Sequence, residues 1–595
     1  MNPLGLSALE SASVSQNIAF AVLSSLTLNV KEQFVSVDIR CCVGIEVKEI
    51  CPGVRTGSSE RNECIGDFSL EATSVCAIVS GVRFSPPWYV QDRLLIRFWG
   101  PISTLIVRAK WELGTQRTLR GFMRDSGWSI WLRGVAAVVA VSCGMAAHLH
   151  AQTFTDLGGL YSGGFTPIQA TNGNFYTPTM LGGNAGDGSV VEITPDGTIT
   201  TLYSFCSLAY CDDGEIPQAA LVLGANGDLY GTTTLGGPAG SLGTLFKMTL
   251  DGELTTLNSF CVETCADVAF EPFGMIQASN GNFYGTTQFG GLNSGGTLFE
   301  MTPTGQFRVV YNFCSQANCT DGEYPVAPPM QANNGDFYGT AGGGSTGGGV
   351  IYKLTAAGSY KVIYNFCSQA NCADPGGSAL VEDVGGNFYG TGGMSDAYRW
   401  GVIFKITPSH QYIVLHAFEE SDGANPASGL LLANDGNLYG TTSFGSGSGG
   451  SDGGGNIFSI SPQGEFTSLY SFCDVFDCYS TNSSALFQAT NGILYGTLLS
   501  GSQYEAGEAF SFNNNLSPLV ETVPTMGKVG KRVIILGNNL TGSTSVTFNG
   551  VEAAFTVGSN TYIKATVPTG ATTGTVSVAT PSGTLNSNPQ FVVTK

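Results

Sequence analysis

Asn280-Gly-Asn-Phe-Tyr284-Gly-Thr286 decides the fold, because the chain writes the same line seven times. The other copies are Asn172-Gly-Asn-Phe-Tyr176, Asn226-Gly-Asp-Leu-Tyr230, Asn334-Gly-Asp-Phe-Tyr338, Gly385-Gly-Asn-Phe-Tyr389, Asp435-Gly-Asn-Leu-Tyr439 and Asn491-Gly-Ile-Leu-Tyr495. They recur at intervals of 50 to 56 residues, and Gly-Thr follows the tyrosine in all but the first, where Thr177-Pro178 stands instead. Self-similarity at this period marks a propeller or another repeat array.

Working outward from the motif, the second copy resolves into four strands. Ala219–Leu223 is a short apolar run, Asn226-Gly-Asp is a hairpin turn that tolerates positive φ, and Leu229–Thr234 is the second strand. A glycine-rich loop leads to Thr244–Thr249, and Asp251-Gly252 turns the chain into Leu254–Phe260. Four antiparallel strands per repeat make one propeller blade. The ends of the array agree. Phe154–Ser162 matches a fourth strand such as Thr200–Phe205, whereas the last copy stops after its third strand, Glu508–Phe512. An N-terminal strand that completes the last blade closes a ring and removes both edges, which an open solenoid leaves unexplained. Residues 152–515 are therefore expected to form a seven-bladed β-propeller of four-stranded blades.

Residues 516–595 drop the repeat. Strand-like runs at Arg532–Leu536, Ser545–Phe548, Tyr562–Val567, Gly574–Val578 and Gln590–Val593 alternate with turns, as in an immunoglobulin-like β-sandwich. The whole chain is expected to be all-β.

Two resemblances follow from these residues. The repeat Asn-Gly-Asn-Leu/Phe-Tyr-Gly-Thr, with Gly-Gly and Gly-Thr-Leu-Phe after it as in Asn280–Phe299, resembles the GloVer tandem repeat of bacterial extracellular proteins. That resemblance implies location and architecture, and it brings no catalytic residues. The tail resembles an IPT/TIG domain through Pro524, Gly527, Gly530, Gly537-Asn-Asn-Leu540, Phe548-Asn-Gly550, Val567-Pro568 and Pro581-Ser-Gly583. Such domains imply a spacer or interaction role.

Upstream of the array, residues 123–151 have the anatomy of a secretory signal peptide. Arg124 and Arg133 supply the positive segment, small apolar residues from Gly134 to Ala147 form the core, and Ala151 precedes Gln152 at a small-residue cleavage point. This core is short against the roughly 20 residues a membrane span needs, so no span is expected in the mature chain. Residues 1–122 carry no repeat and read as an upstream extension from a start placed too early, with no fold assigned.

Composition narrows the function. The chain has 595 residues, 82 of them glycine, 12% charged residues and a net charge of −20. That balance disfavours nucleic acid, which needs clustered Lys and Arg. Ten cysteines follow Gln152 in close pairs: Cys206 with Cys211, Cys261 with Cys265, Cys314 with Cys319, Cys367 with Cys372 and Cys473 with Cys478. In an exported chain such pairing reads as disulfides that staple the loops between blades. Zinc is disfavoured because the pairs fall on separate blades, with His410 and His416 the only histidines after Gln152.

The same loops carry Asp213, Glu215, Asp321, Glu323 and Asp422, the candidate ligand-binding residues. Their recurrence as Asp-Gly turns favours a structural role, yet they lie on the side where any ligand is expected, together with the long glycine-rich loops. Two functions of different classes fit. One is a secreted or cell-surface binding or scaffold protein whose propeller face engages a glycan, a surface polymer or a protein. The other is a carbohydrate-active or other hydrolase that uses loop carboxylates. The first is expected, with no catalytic residue, metal or cofactor assigned.

Overall fold

In the computed structural model each copy of the repeat forms one four-stranded antiparallel sheet. The structure describes five strands between residues 11 and 110 by backbone alone, and residues 152–594 apart from short stretches at 162, 239–241, 261–269, 326, 373–377, 420, 427, 446–453, 473–482 and 500–506. The segment 123–151 read as a signal peptide lies outside the described residues, as do Cys261, Cys265, Cys473 and Cys478. No α-helix occurs among the described residues, and so no helix there is long and apolar enough to cross a membrane.

The chain divides into two units, Met1–His150 and Ala151–Lys595. In the first, Ser11–Val30, Gln33–Pro52, Ser69–Phe84, Leu94–Trp99 and Ile106–Lys110 pair consecutively as an antiparallel sheet. In the second, the repeat strands span 168–204, 222–259, 270–312, 330–365, 381–417 and 431–471, and the seventh sheet takes Phe487–Gln488, Leu494–Leu498, Gly507–Asn513 and then Thr153–Leu160. The chain's early strand thus completes the last sheet, as the ends of the repeat predict. In the second sheet the first strand is shorter than its apolar run: only Val222 and Leu223 pair, with Tyr230 and Leu229.

The motif accounts for each sheet's hairpin. The Asn226 carboxamide accepts from the Asp228 amide at 3.2 Å and donates to the Tyr230 hydroxyl at 3.1 Å, so the turn residue is tied to the strand that leaves the turn. Asn172, Asn280, Asn334 and Asn491 make the same bond to the tyrosine four residues on, at 2.7, 3.0, 2.9 and 3.4 Å. Asp435 instead accepts from Tyr439 at 2.9 Å. In the fifth copy Gly385 has no side chain, and Asp383 takes over, accepting from Tyr389 at 2.8 Å.

The glycine after the tyrosine answers to the third strand. Gly390, Gly440 and Gly496 pair with Phe404, Phe458 and Phe510, and a Cβ there would fall 2.7, 2.5 and 2.5 Å from the ring tip. In the first sheet the cross-strand partner is Val191, and there Thr177 replaces the glycine. The first copy's departure from the motif is therefore a matched pair.

Neighbouring sheets join through one repeated contact, the motif tyrosine of one sheet against the Phe or Leu before the next motif tyrosine. Tyr230 meets Phe283 at 4.2 Å between ring centroids, Tyr284 meets Phe337 at 4.2 Å and Tyr338 meets Phe388 at 4.6 Å. Tyr176 with Leu229, Tyr389 with Leu438 and Tyr439 with Leu494 share hydrophobic clusters. Tyr495 of the seventh sheet stacks on Phe175 of the first at 4.0 Å, and Thr490 N donates to Gln169 Oε1 at 3.0 Å across the same junction.

Residues 519–594 fold as two four-stranded sheets and a parallel two-stranded pair, Met526–Lys528 with Val592–Thr594, around a core of Val533, Ile535, Val546, Phe548, Ile563 and Val578. The other face of the first sheet is apolar too. Val523, Ile534 and Leu536 cluster with Ala170 and Leu223 of the array. Polar contacts surround that patch: Asn538 Nδ2 donates to Thr490 Oγ1 at 2.9 Å, Thr561 Oγ1 to Thr171 O at 2.5 Å and Asn588 Nδ2 to Leu432 O at 2.9 Å. Thr171 and Thr490 precede the tight turns, so the immunoglobulin-like domain sits on the turn side of the array. Glu521, opposite Leu536 on the docking face, has its carboxyl pushed up to about 7 by burial.

One residue beside the early strand in the seventh sheet breaks the pattern. Where other sheets hold Thr244, Thr297 or Asn456, the seventh has Glu508, fully buried, and among the described residues no group donates a hydrogen bond to its carboxylate oxygens. Burial first, and then the Asp156 carboxylate on the early strand, push Glu508 up to about 8. A group whose pKa is raised on folding contributes most below its unfolded pKa and loses that contribution as pH climbs through the folded value. Stability should therefore fall as pH rises from 4.5 towards 8, and Glu508→Thr should flatten that slope; parallel urea titrations give the difference, with the Glu521 contribution common to both. A slope unchanged in Glu508→Thr contradicts the assignment. Separately, Gly440→Ala should cost roughly 1–3 kcal/mol by overpacking, and Phe458→Val in the same chain should recover much of it, as Thr177 with Val191 does naturally; thermal melts of the single and double variants measure both.

Candidate functional site

The loops from each fourth strand to the next sheet, and those between second and third strands, emerge on the side away from the tight turns. Three of the former share one build. Cys206–Cys211, Cys314–Cys319 and Cys367–Cys372 are joined as disulfides with Cα atoms 4.0 Å apart. Within each, both cysteines and the residue before the second take positive φ: Tyr210 at 61°, Asn318 at 57° and Asn371 at 57°. Side chains rarely adopt that region, Asn excepted.

A buried aspartate holds the first two of these loops. Asp213 accepts from Tyr203 Oη at 2.8 Å, Ser207 N at 2.9 Å, Ser207 Oγ at 2.8 Å and Leu208 N at 3.2 Å. Asp321 accepts from Tyr311 Oη, Ser315 N, Ser315 Oγ and Gln316 N at 2.6, 2.9, 2.7 and 3.1 Å. Both are wholly buried. Burial pushes their carboxyls up, but these bonds outweigh it and hold them below the ordinary aspartate value. Loss of solvent, with the Asp213 carboxylate adding to it, lifts Tyr203 to about 12. A carboxylate with four donors already in place has little left for a ligand.

The loop after the fifth sheet has no cysteine pair and uses the same device. His416 stands in the tyrosine position, its Nε2 3.0 Å from Asp422 Oδ2, and Asp422 also accepts from Glu419 N at 2.8 Å. The His416 ring stacks on Phe466 at 4.0 Å, as Tyr311 stacks on Tyr360 at 3.7 Å. Burial lowers the His416 pKa in spite of Asp422, so the ring packs as a neutral aromatic at pH 7.

Glu215 and Glu323 are placed differently. Each lies half-buried beside a disulfide. Donor atoms of Glu215, Asp187, Cys206 and Cys211 lie within 4.8 Å of one another, as do those of Glu323, Cys314 and Cys319. With the sulfurs joined, the thiolates that a zinc site requires are gone, leaving two carboxylates in the first group and one in the second. Burial, then the Asp187 carboxylate, raise the Glu215 pKa. The structure brings the five predicted acids to one side of the array but to three different loops.

Residues not singled out from the sequence stand beside them. Tyr161, Leu181, Leu208 and Tyr210 are 86%, 49%, 57% and 94% exposed, and all four lie on the loops around the first sheet. Their signal was available: Leu208 and Tyr210 occupy positions that are Gln316 and Asn318, and Gln369 and Asn371, in the sister loops.

No curated protein is similar to the chain. Among solved structures, an auxiliary nutrient binding protein from Bacteroides ovatus is similar at 10% identity and TM-score 0.34, over 81% of this chain and 94% of that one. The polysaccharide lyase Uly1 is similar at 11% identity and TM-score 0.37, over 59% and 90%. The IPT/TIG domain matches residues 519–593, where the C-terminal sandwich lies. The Gloeobacter/Verrucomicrobia repeat matches residues 133–319 and 314–510, which takes in all seven copies of the motif, and the chain belongs to that repeat family.

Proposed function

We propose that the seven sheets form a seven-bladed β-propeller closed by the N-terminal strand. We read the chain as an exported or cell-surface, non-catalytic binding or scaffold protein. The observation that carries the reading is the division between the two sides of the array. The immunoglobulin-like domain occupies the turn side, where it serves as a mount, and the disulfide loops and glycine-rich loops stand on the other, where binding residues on a rigid scaffold belong.

The carboxylates support a non-catalytic role. Asp213 and Asp321 are consumed by their own loops. Glu508 and Asp156 are the acid pair that breaks the repeat, yet Glu508 has no exposed surface, and a glycosidic oxygen must be within hydrogen-bond reach of its acid. Glu215 and Glu323 fall on separate loops. Disulfide loops favour an oxidising compartment, which agrees with the export signal read at residues 123–151.

Expression of the full reading frame in a Gram-negative host tests the reading. The exported product should begin near Gln152, weigh ten hydrogens less than its reduced form for its ten cysteines, and release no reducing ends from polysaccharides above a heat-denatured control. Retention of residues 1–122, or free thiols, overturns export. Sugar release abolished by Glu215→Gln or Glu323→Gln overturns the non-catalytic assignment.

A further inference from the structure

Three loops are versions of one scaffold, and one of them differs where it meets water. Residues 314–319 and 367–372 both read Cys-Ser-Gln-Ala-Asn-Cys, whereas residues 206–211 read Cys-Ser-Leu-Ala-Tyr-Cys. The backbones agree, with Asn318, Asn371 and Tyr210 at φ of 57°, 57° and 61°. Asparagine tolerates that left-handed conformation through its short polar side chain, and tyrosine has no such compensation. Packing does not explain Tyr210 either, since it is 94% exposed and Leu208 is 57% exposed. Large apolar side chains held in water on a strained backbone mark a binding surface.

Adjoining loops extend the patch. By strand register, Tyr161 stands where Cys206 stands in the next loop. It lies against Gly182, where a Cβ would come 2.8 Å from Tyr161 Cβ. Leu181 precedes that glycine. The Ile216 amide donates to Asp187 O at 2.7 Å, which ties the loop carrying Tyr210 to the loop carrying Leu181, and the Asp187 and Glu215 carboxylates lie together between them.

We propose that Tyr161, Leu181, Leu208 and Tyr210, bordered by Asp187 and Glu215, bind a neutral polysaccharide, with a pyranose ring stacked on Tyr210. This site rests on the reading of the loop side as the binding side. The face of a tyrosine ring attracts the polarised C–H edge of a sugar. Carboxylates are pure acceptors and suit the donors that sugar hydroxyls present. The same carboxylates, within a chain of net charge −20, repel anionic polymers. A ring that protrudes offers one flat face and not the enclosing cage that a quaternary ammonium requires. A protein partner needs about 20 residues a side, well beyond four side chains set among Gly182, Gly183 and Gly186.

Affinity gel electrophoresis of the full chain in xyloglucan, galactomannan, mixed-linkage β-glucan and dextran is the test. Leu208→Gln with Tyr210→Asn gives this loop the sequence of residues 314–319, a loop already built in this protein, so the double variant keeps its fold. At least one of these polysaccharides should retard the wild type, with little effect of high salt, and the double variant should bind about tenfold more weakly or worse; Tyr161→Ser should weaken it further. Equal retardation of wild type and double variant overturns this site while the binding-module reading stands. Absence of retardation by all four, or retardation abolished by salt, overturns the neutral-polysaccharide assignment.

Discussion

The array depends on one tyrosine per repeat that answers to two sheets at once. Its hydroxyl is tied back to the turn that begins its own strand, and its ring supplies the surface on which the next sheet packs. Tyr230 shows both ends, bonded to Asn226 at 3.1 Å and stacked on Phe283 at 4.2 Å. A residue so constrained fixes the register of its own hairpin and the spacing of its neighbour together. Substitutions elsewhere conform to it. Asp383 replaces a missing Asn partner in the fifth copy, and Thr177 appears where Val191 relieves the crowding that otherwise demands glycine.

Because Tyr495 meets Phe175 through the same contact that joins the other sheets, the last junction needs no special device except the early strand. That strand brings its own anomaly. Asp156 and Glu508 place two acids where the sixth sheet has Ser468 and Asn456 hydrogen-bonded at 3.1 Å. The pair ties the stability of this junction to pH, since burial and Asp156 raise Glu508.

Much of this was legible in the residues. Seven copies at even spacing pointed to the seven sheets, and the orphan strand at one end with the missing strand at the other pointed to the early strand's place in the last sheet. The run Val533-Ile-Ile-Leu536 also carried more than a strand assignment: four consecutive apolar residues, not an alternation, signal a sheet buried on both faces, and Ile534 and Leu536 are the residues that dock on the array. What escaped sequence reading depends on three-dimensional register. Nothing along the chain places Glu508 opposite Gly159 or leaves Tyr210 in water. Asp213 and Asp321 were legible as turn residues, but their four donors apiece come from side chains and amides that meet only once the loop has folded.

Closure by the N-terminal strand is the claim on which both the ring and its two distinct sides rest. Hydrogen–deuterium exchange of the mature chain, read by peptide mass spectrometry, tests it most directly, since amides in a paired ladder exchange only on opening. Thr153–Leu160 pairs along its length with Gly507–Asn513, so its amides should be protected as strongly as those of a fourth strand inside the array, Leu254–Ser259. Exchange of Thr153–Leu160 at the rate of unstructured chain, while Leu254–Ser259 stays protected, would contradict the account.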